Sequence, residues 1–147
     1  MSIVESIRKE FFPAIYDKEV DTAGALRLCL TKRKGLGKYA LALIEFDSSS
    51  EIEGQISSAR KAVSKVTKAL WCLNEVGVYI TFVAKEAPKN LSASELSIDK
   101  TGFHAVIVQG VHVIGPDGYH LYNHSKWLNH TFGGANEISN KLQAIAT

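Results

Sequence analysis

Proline is scarce in this chain, with three in 147 residues, and cysteine is scarcer, with two. Few prolines leave long stretches free to form helices and strands, and two cysteines cannot build the disulfide framework of a small secreted scaffold. Cys29 and Cys72 both sit inside apolar segments, where a buried free thiol is expected. Neither has a sequence-local histidine that would activate it as a nucleophile. A strong charge of either sign is also missing. Lys and Arg total 17 against 15 Asp and Glu, a formal net charge of +2, too little to dictate a partner by overall electrostatics. No uninterrupted apolar run approaches the ~18–20 residues of a membrane span. The opening MSIVESIRKEFF carries charges where a signal peptide would need an apolar core. A cytoplasmic chain with no membrane association is expected. Repeats and a second domain are absent too.

What is present suits a packed domain. The hydrophobic share is 46% and the charged share 22%, enough to bury a core within a single α+β domain over 1–147. Ser2 and Glu5 have the form of a capping box, and Val4, Ile7 and Phe11 follow at helical spacing, which predicts a helix over 2–12. Residues 25–31 and 39–47 read as strands joined by the basic turn KRKGLGK. In the second, apolar residues fall on both sides, as in a central strand covered on both faces. DSSSEIEGQ opens a second helix, over 50–73, whose apolar stripe includes Ile52, Ile56, Ala59, Val63 and Val66. A strand at 76–83 follows, then a polar loop over 85–100. A strand from 104, with a bulge near Gly110, leads to the turn GPDG and a strand at 119–122. Ile138, Leu142 and Ile145 mark a last helix. The order is α-β-β-α-β-β-β-α, and short connections favour a mainly antiparallel five-stranded sheet with packed helices. This order resembles roadblock and profilin-like layouts, small domains that often serve as adaptors. Similarity of order alone transfers no site.

The five histidines crowd into 104–130. Pro116 fits position i+1 of a type I turn, with Gly118 as a left-handed bulge residue. That pairs Ile114 with His120 and His112 with Tyr122, and sets His112, His120 and His124 on one face as weak metal candidates. His112 and His120 would be diagonal neighbours ~7–8 Å apart. No third ligand is in evident reach, and a polar hairpin face explains the row equally. No cofactor is implied.

Three other patterns carry possible chemistry. KGLGK lacks the spacing and the following helix of a phosphate-binding P-loop, so nucleoside-triphosphate binding is rejected. Lys32, Arg33, Lys34 and Lys38 are candidate anion contacts on a hairpin tip. A second basic group, Arg60, Lys61, Lys65 and Lys68, lies away from the apolar stripe and reads as a solvated helix face. Glu45 and Asp47 share a strand face, but Asp47 is better placed as part of a helix cap. A restriction-nuclease-like core would want an E-x-K strand triplet, and none is present.

Strands two and three are expected to hold more apolar surface than the helices can shield. Leu41, Leu43, Tyr79 and Val83, with Trp127, are therefore interface or pocket candidates. The first expectation is a non-enzymatic domain that binds a protein partner or small ligand and forms a homodimer. Nucleic-acid or anion binding through the 32–38 hairpin is the second. A metal-dependent hydrolase using the 112–124 histidine face is the third, so enzyme status stays open.

Overall fold

The structure, a computed structural model, describes residues 2–34, 37–47, 49–67, 76–86, 106–124 and 134–146. Three helices, α1 (Ile3–Phe11), α2 (Ile52–Thr67) and α3 (Gly134–Ala146), flank one sheet. Its strands are β1 (Lys18–Val20), β2 (Leu26–Lys34), β3 (Gly37–Phe46), β4 (Val76–Ala84), β5 (Val106–Gly115) and β6 (Gly118–His124). They lie side by side in chain order.

The single-domain α+β expectation is met in class and corrected in detail. The sheet has six strands, not five, and it is mixed: β3–β4 and β4–β5 pair in parallel, the rest antiparallel. The cause lies in the connections. A helix between β3 and β4 returns the chain to the starting end of the sheet, so the next strand must run the same way. The strand missed in the sequence is β1, only three residues long, with Lys18 and Glu19 exposed. It has too few apolar positions to show an alternation.

Local chemistry sets the helix starts. The Ser2 side chain accepts a hydrogen bond from the Glu5 N–H at 3.2 Å, as the capping pattern predicts. At α2 the organiser is Asp47. Its carboxylate accepts from the Ser49 backbone N–H, the Ser49 hydroxyl and the Ser50 hydroxyl. The Gln55 side chain meanwhile closes back on both the N–H and the carbonyl of Asp47.

Alternation along the strands then makes two cores. On one face Ala59 and Val63 of α2 pack over Ala40, Ala42, Ile80 and Val111. On the other, Ile7 and Phe11 of α1 with Ile138 and Leu142 of α3 cover Leu28, Leu41, Leu43 and Tyr79. Leu41, Leu43 and Tyr79 are each only 1% exposed, and Val83 is half-buried at the rim of the same cluster. The open apolar face expected from the sequence is therefore closed at these positions by the chain's own helices. α3 alone, with few strong apolar positions, would leave part of this face bare, but α1 packs beside it on the same face and not with α2. Together they suffice.

This placement predicts that Leu43→Ala lowers unfolding free energy by about 2–5 kcal/mol. In urea titrations the loss should be independent of protein concentration. A subunit contact would make it concentration-dependent.

Candidate functional site

The histidine row does not form as expected. In the structure Gly115 pairs with Gly118 across a two-residue turn, Ile114 with Tyr119, Val113 with His120 and His112 with Leu121. The expected bulge at Gly118 made the loop one residue too long. Gly118 has the positive φ of 123° yet pairs directly with Gly115. A slip of one residue exchanges the faces of a strand. Tyr119 thus comes to the His112 side, and a hydrogen bond of 2.7 Å joins His112 Nδ1 to Tyr119 Oη. A second irregularity between Val111 and His112 returns Asn123 opposite Val111 and His124 opposite Gly110.

His112 is fully buried, not half-exposed on an outer face. Its ring lies 6.3 Å from Tyr79 and 5.8 Å from Tyr119, centre to centre. Thr81, its register partner on β4, is also fully buried, and the Thr81 hydroxyl has no hydrogen-bond partner among the described residues. The same holds for Tyr16, whose phenol is driven above its ordinary range by burial. Among the described residues no group of three or more His, Cys, Asp or Glu side chains could hold a metal ion. His104, His130 and Trp127 lie outside the described residues, as do the side chains of His120 and His124.

The two carboxylates at the end of β3 serve separate neighbours. Glu45 pairs with Arg27, while Asp47 holds the start of α2. The hydroxyls and N–H of Ser49 and Ser50 keep the Asp47 carboxyl below its usual range. Beside them a cleft of about 280 Å³ opens between α2 and the start of β2, lined by Ala25, Leu26, Ile44, Ser58, Ala59 and Ala62 among others. Asp47 and Gln55 at its mouth already bond within the fold.

The basic hairpin is regular almost to its tip: Lys32 pairs with Tyr39, Arg33 with Lys38 and Lys34 with Gly37. The four cations are consequently not alike. Arg33 is exposed and Lys32 half-buried. Lys38 is buried at 7% exposure, one residue before the Tyr39–Gly77 pair in the parallel ladder with β4. The α2 crossover runs about 24 Å back along the sheet, with Lys61 and Lys65 exposed along its course. The exposed Lys18, opposite Thr31, lies toward the hairpin end. Glu45, Asp47, Glu51, Glu53 and Asp117 gather at the opposite end of the strands. Among the described residues the hairpin end carries Lys18, Lys32, Arg33, Lys34 and Lys38 with Asp17 and Glu19, and the other end carries these carboxylates with Arg27 and Lys85, so charge is biased along the strand axis.

Comparison with protein families, characterised proteins and solved structures returned no match. Among the described residues no helix is long and apolar enough to cross a membrane. Cys29, fully buried, has its thiol pushed up to about 12 by desolvation, which keeps it neutral and unreactive.

Two outcomes follow from this geometry. Tyr119→Phe should remove about 1–3 kcal/mol of stability by stripping a buried histidine of one partner, read as a lower urea midpoint. In an NMR titration Asp47 should ionise below the ordinary carboxylate range, and a Ser49→Ala/Ser50→Ala variant should raise its midpoint. The sign follows from the depressed pKa. The contribution of Asp47 to folding is complete above the unfolded-state value and is lost as pH falls through the folded one.

Proposed function

We propose that the chain is a non-enzymatic binding domain that takes an anionic partner at the end of the sheet formed by the β2–β3 hairpin. The observation that carries this reading is the excess of cations on the β2–β3 hairpin, where Lys32, Arg33, Lys34 and Lys38 pair within one ladder. A net charge of +2 gives no field worth the name, but a basic end opposite an acidic one gives a local potential and an orientation. Lys32, Arg33 and Lys34 close a paired hairpin, so their backbones are fixed before any ligand arrives. Less ordering entropy is then lost on binding. Lys38 belongs to the same site as a buried charge beneath the surface, not as an exposed contact.

Self-association is not favoured by any exposed apolar face among the described residues, since Leu41, Leu43 and Tyr79 are covered within one chain. The histidine-based hydrolase loses support for a parallel reason. His112 is sealed in the core against Tyr119, and the backbone of His120 pairs with Val113, not in a row with His112.

Heparin retention tests the proposal. The protein should bind at about 0.1 M salt, where charges separated by more than ~10 Å are screened, and elute as salt rises. Lys32→Ala/Arg33→Ala/Lys34→Ala should elute at clearly lower salt with unchanged thermal unfolding. Passage of the unmodified protein through the column without delay would overturn the reading.

A further inference from the structure

We infer that Lys18, Arg33 and Lys38, one from each of β1, β2 and β3, form a compact cradle for a dianionic phosphate group on the α2 side of the sheet. The inference deepens the anion-binding reading and rests on it. Alternation of side chains settles the faces. Val20 packs against the core beneath α2, so Lys18, two residues before it, stands on that side. Cys29 belongs to the same core, and the β2–β3 ladder is unbroken from Leu28 to Lys34, so Thr31 and then Arg33 follow on that side. Ala40, also of that core, brings Lys38 there by the same count. Lys32 falls on the opposite face with its partner Tyr39, which packs against the core beneath α1 and α3. The basic run is thus split between two faces, and Lys18, distant in sequence, stands beside Arg33.

The three cations are close neighbours. Arg33 and Lys38 are direct partners across the ladder, about 4.5–5.5 Å apart at Cβ, and Lys18 is the diagonal neighbour of Arg33 at about 7–8 Å. Like charges so placed repel one another. Among the described residues the ammonium of neither lysine has a hydrogen-bond or ion-pair partner. Glu19, next to Lys18, is drawn to the α1 side by Arg8, which leaves three cations against Asp17 at this corner. Lys38 is buried as a floor, and the exposed Lys18 and Arg33 form two arms above it. A terminal phosphate carries a charge of about −1.5 to −2 at pH 7 and three acceptor oxygens, so it can take the Arg33 fork and both ammonium groups at once. A phosphodiester has one charge and relieves the repulsion less.

Amide NMR titrations at constant ionic strength test this with three probes: inorganic phosphate, phenyl phosphate and the diester dimethyl phosphate. Inorganic phosphate or phenyl phosphate should give saturable shifts centred on Lys18, Thr31, Arg33 and Lys38, and the tighter of the two tells free phosphate from an ester. Dimethyl phosphate should bind at least about tenfold more weakly than that tighter probe. Lys18→Ala should weaken the tighter probe about tenfold, the loss of one charge-assisted hydrogen bond. Lys32→Ala, on the opposite face, should weaken it less, and Lys61→Ala, on α2, should leave it unchanged. Lys18 and Lys61 are exposed and Lys32 is half-buried, and an otherwise unchanged amide spectrum would show that each variant folds. Equal affinity for dimethyl phosphate, a loss in Lys32→Ala as large as in Lys18→Ala, or no saturable shift from a protein that heparin still retains would overturn the cradle and leave the hairpin reading in place. Absence of both phosphate shifts and heparin retention would overturn both.

Discussion

The parallel pairing of β3 with β4 is the constraint on which the rest of the structure depends. Once α2 spans the sheet and the chain re-enters beside β3 in the same direction, both strands are interior and both faces must be covered. That requirement explains the apolar residues on both sides of each strand. It also explains why helices are needed on both faces, α2 on one and α1 with α3 on the other. The crossover fixes polarity as well. The carboxyl ends of β3 and β4 lie together at one end of the sheet, the β2–β3 hairpin at the other.

Most elements were legible because each rests on local chemistry. The Ser2 cap, the α2 stripe, the doubly apolar β3 and β4, the irregularity near Gly110 and the tight turn at Pro116 all leave marks over a few residues. What escaped depends on distance or on counting. Strand direction is decided by a sixteen-residue helix in the connection, not by the strand's own composition. The burial of Leu41 and Leu43 needs two helices from opposite ends of the sequence to converge. His112 shows the finest sensitivity. Its turn was recognised and its residue types were right, yet one residue of loop length decided whether it met Tyr119 or His120.

The candidate site follows the same division. Arg33 and its neighbours stand out in the sequence as a run. The nearness of Lys18 does not, because it exists only once β1 pairs with β2. Lys38, grouped with them by sequence and paired with Arg33 across the hairpin, differs from them in losing nearly all its exposure. A count of charges therefore says little here, and their arrangement along one axis says more.

β1 marks one margin of the sheet with only three residues, Lys18 to Val20, and Glu19 is tied to Arg8 of α1 by two hydrogen bonds of 2.8 and 3.1 Å. An incoming strand from another molecule would find a very short ladder there, guarded by a lysine and a glutamate already held in place. Such margins resist intermolecular sheet growth. The smallest element of the fold, nearly invisible in the sequence, is thus a built-in stop against runaway stacking of β-structure on that side.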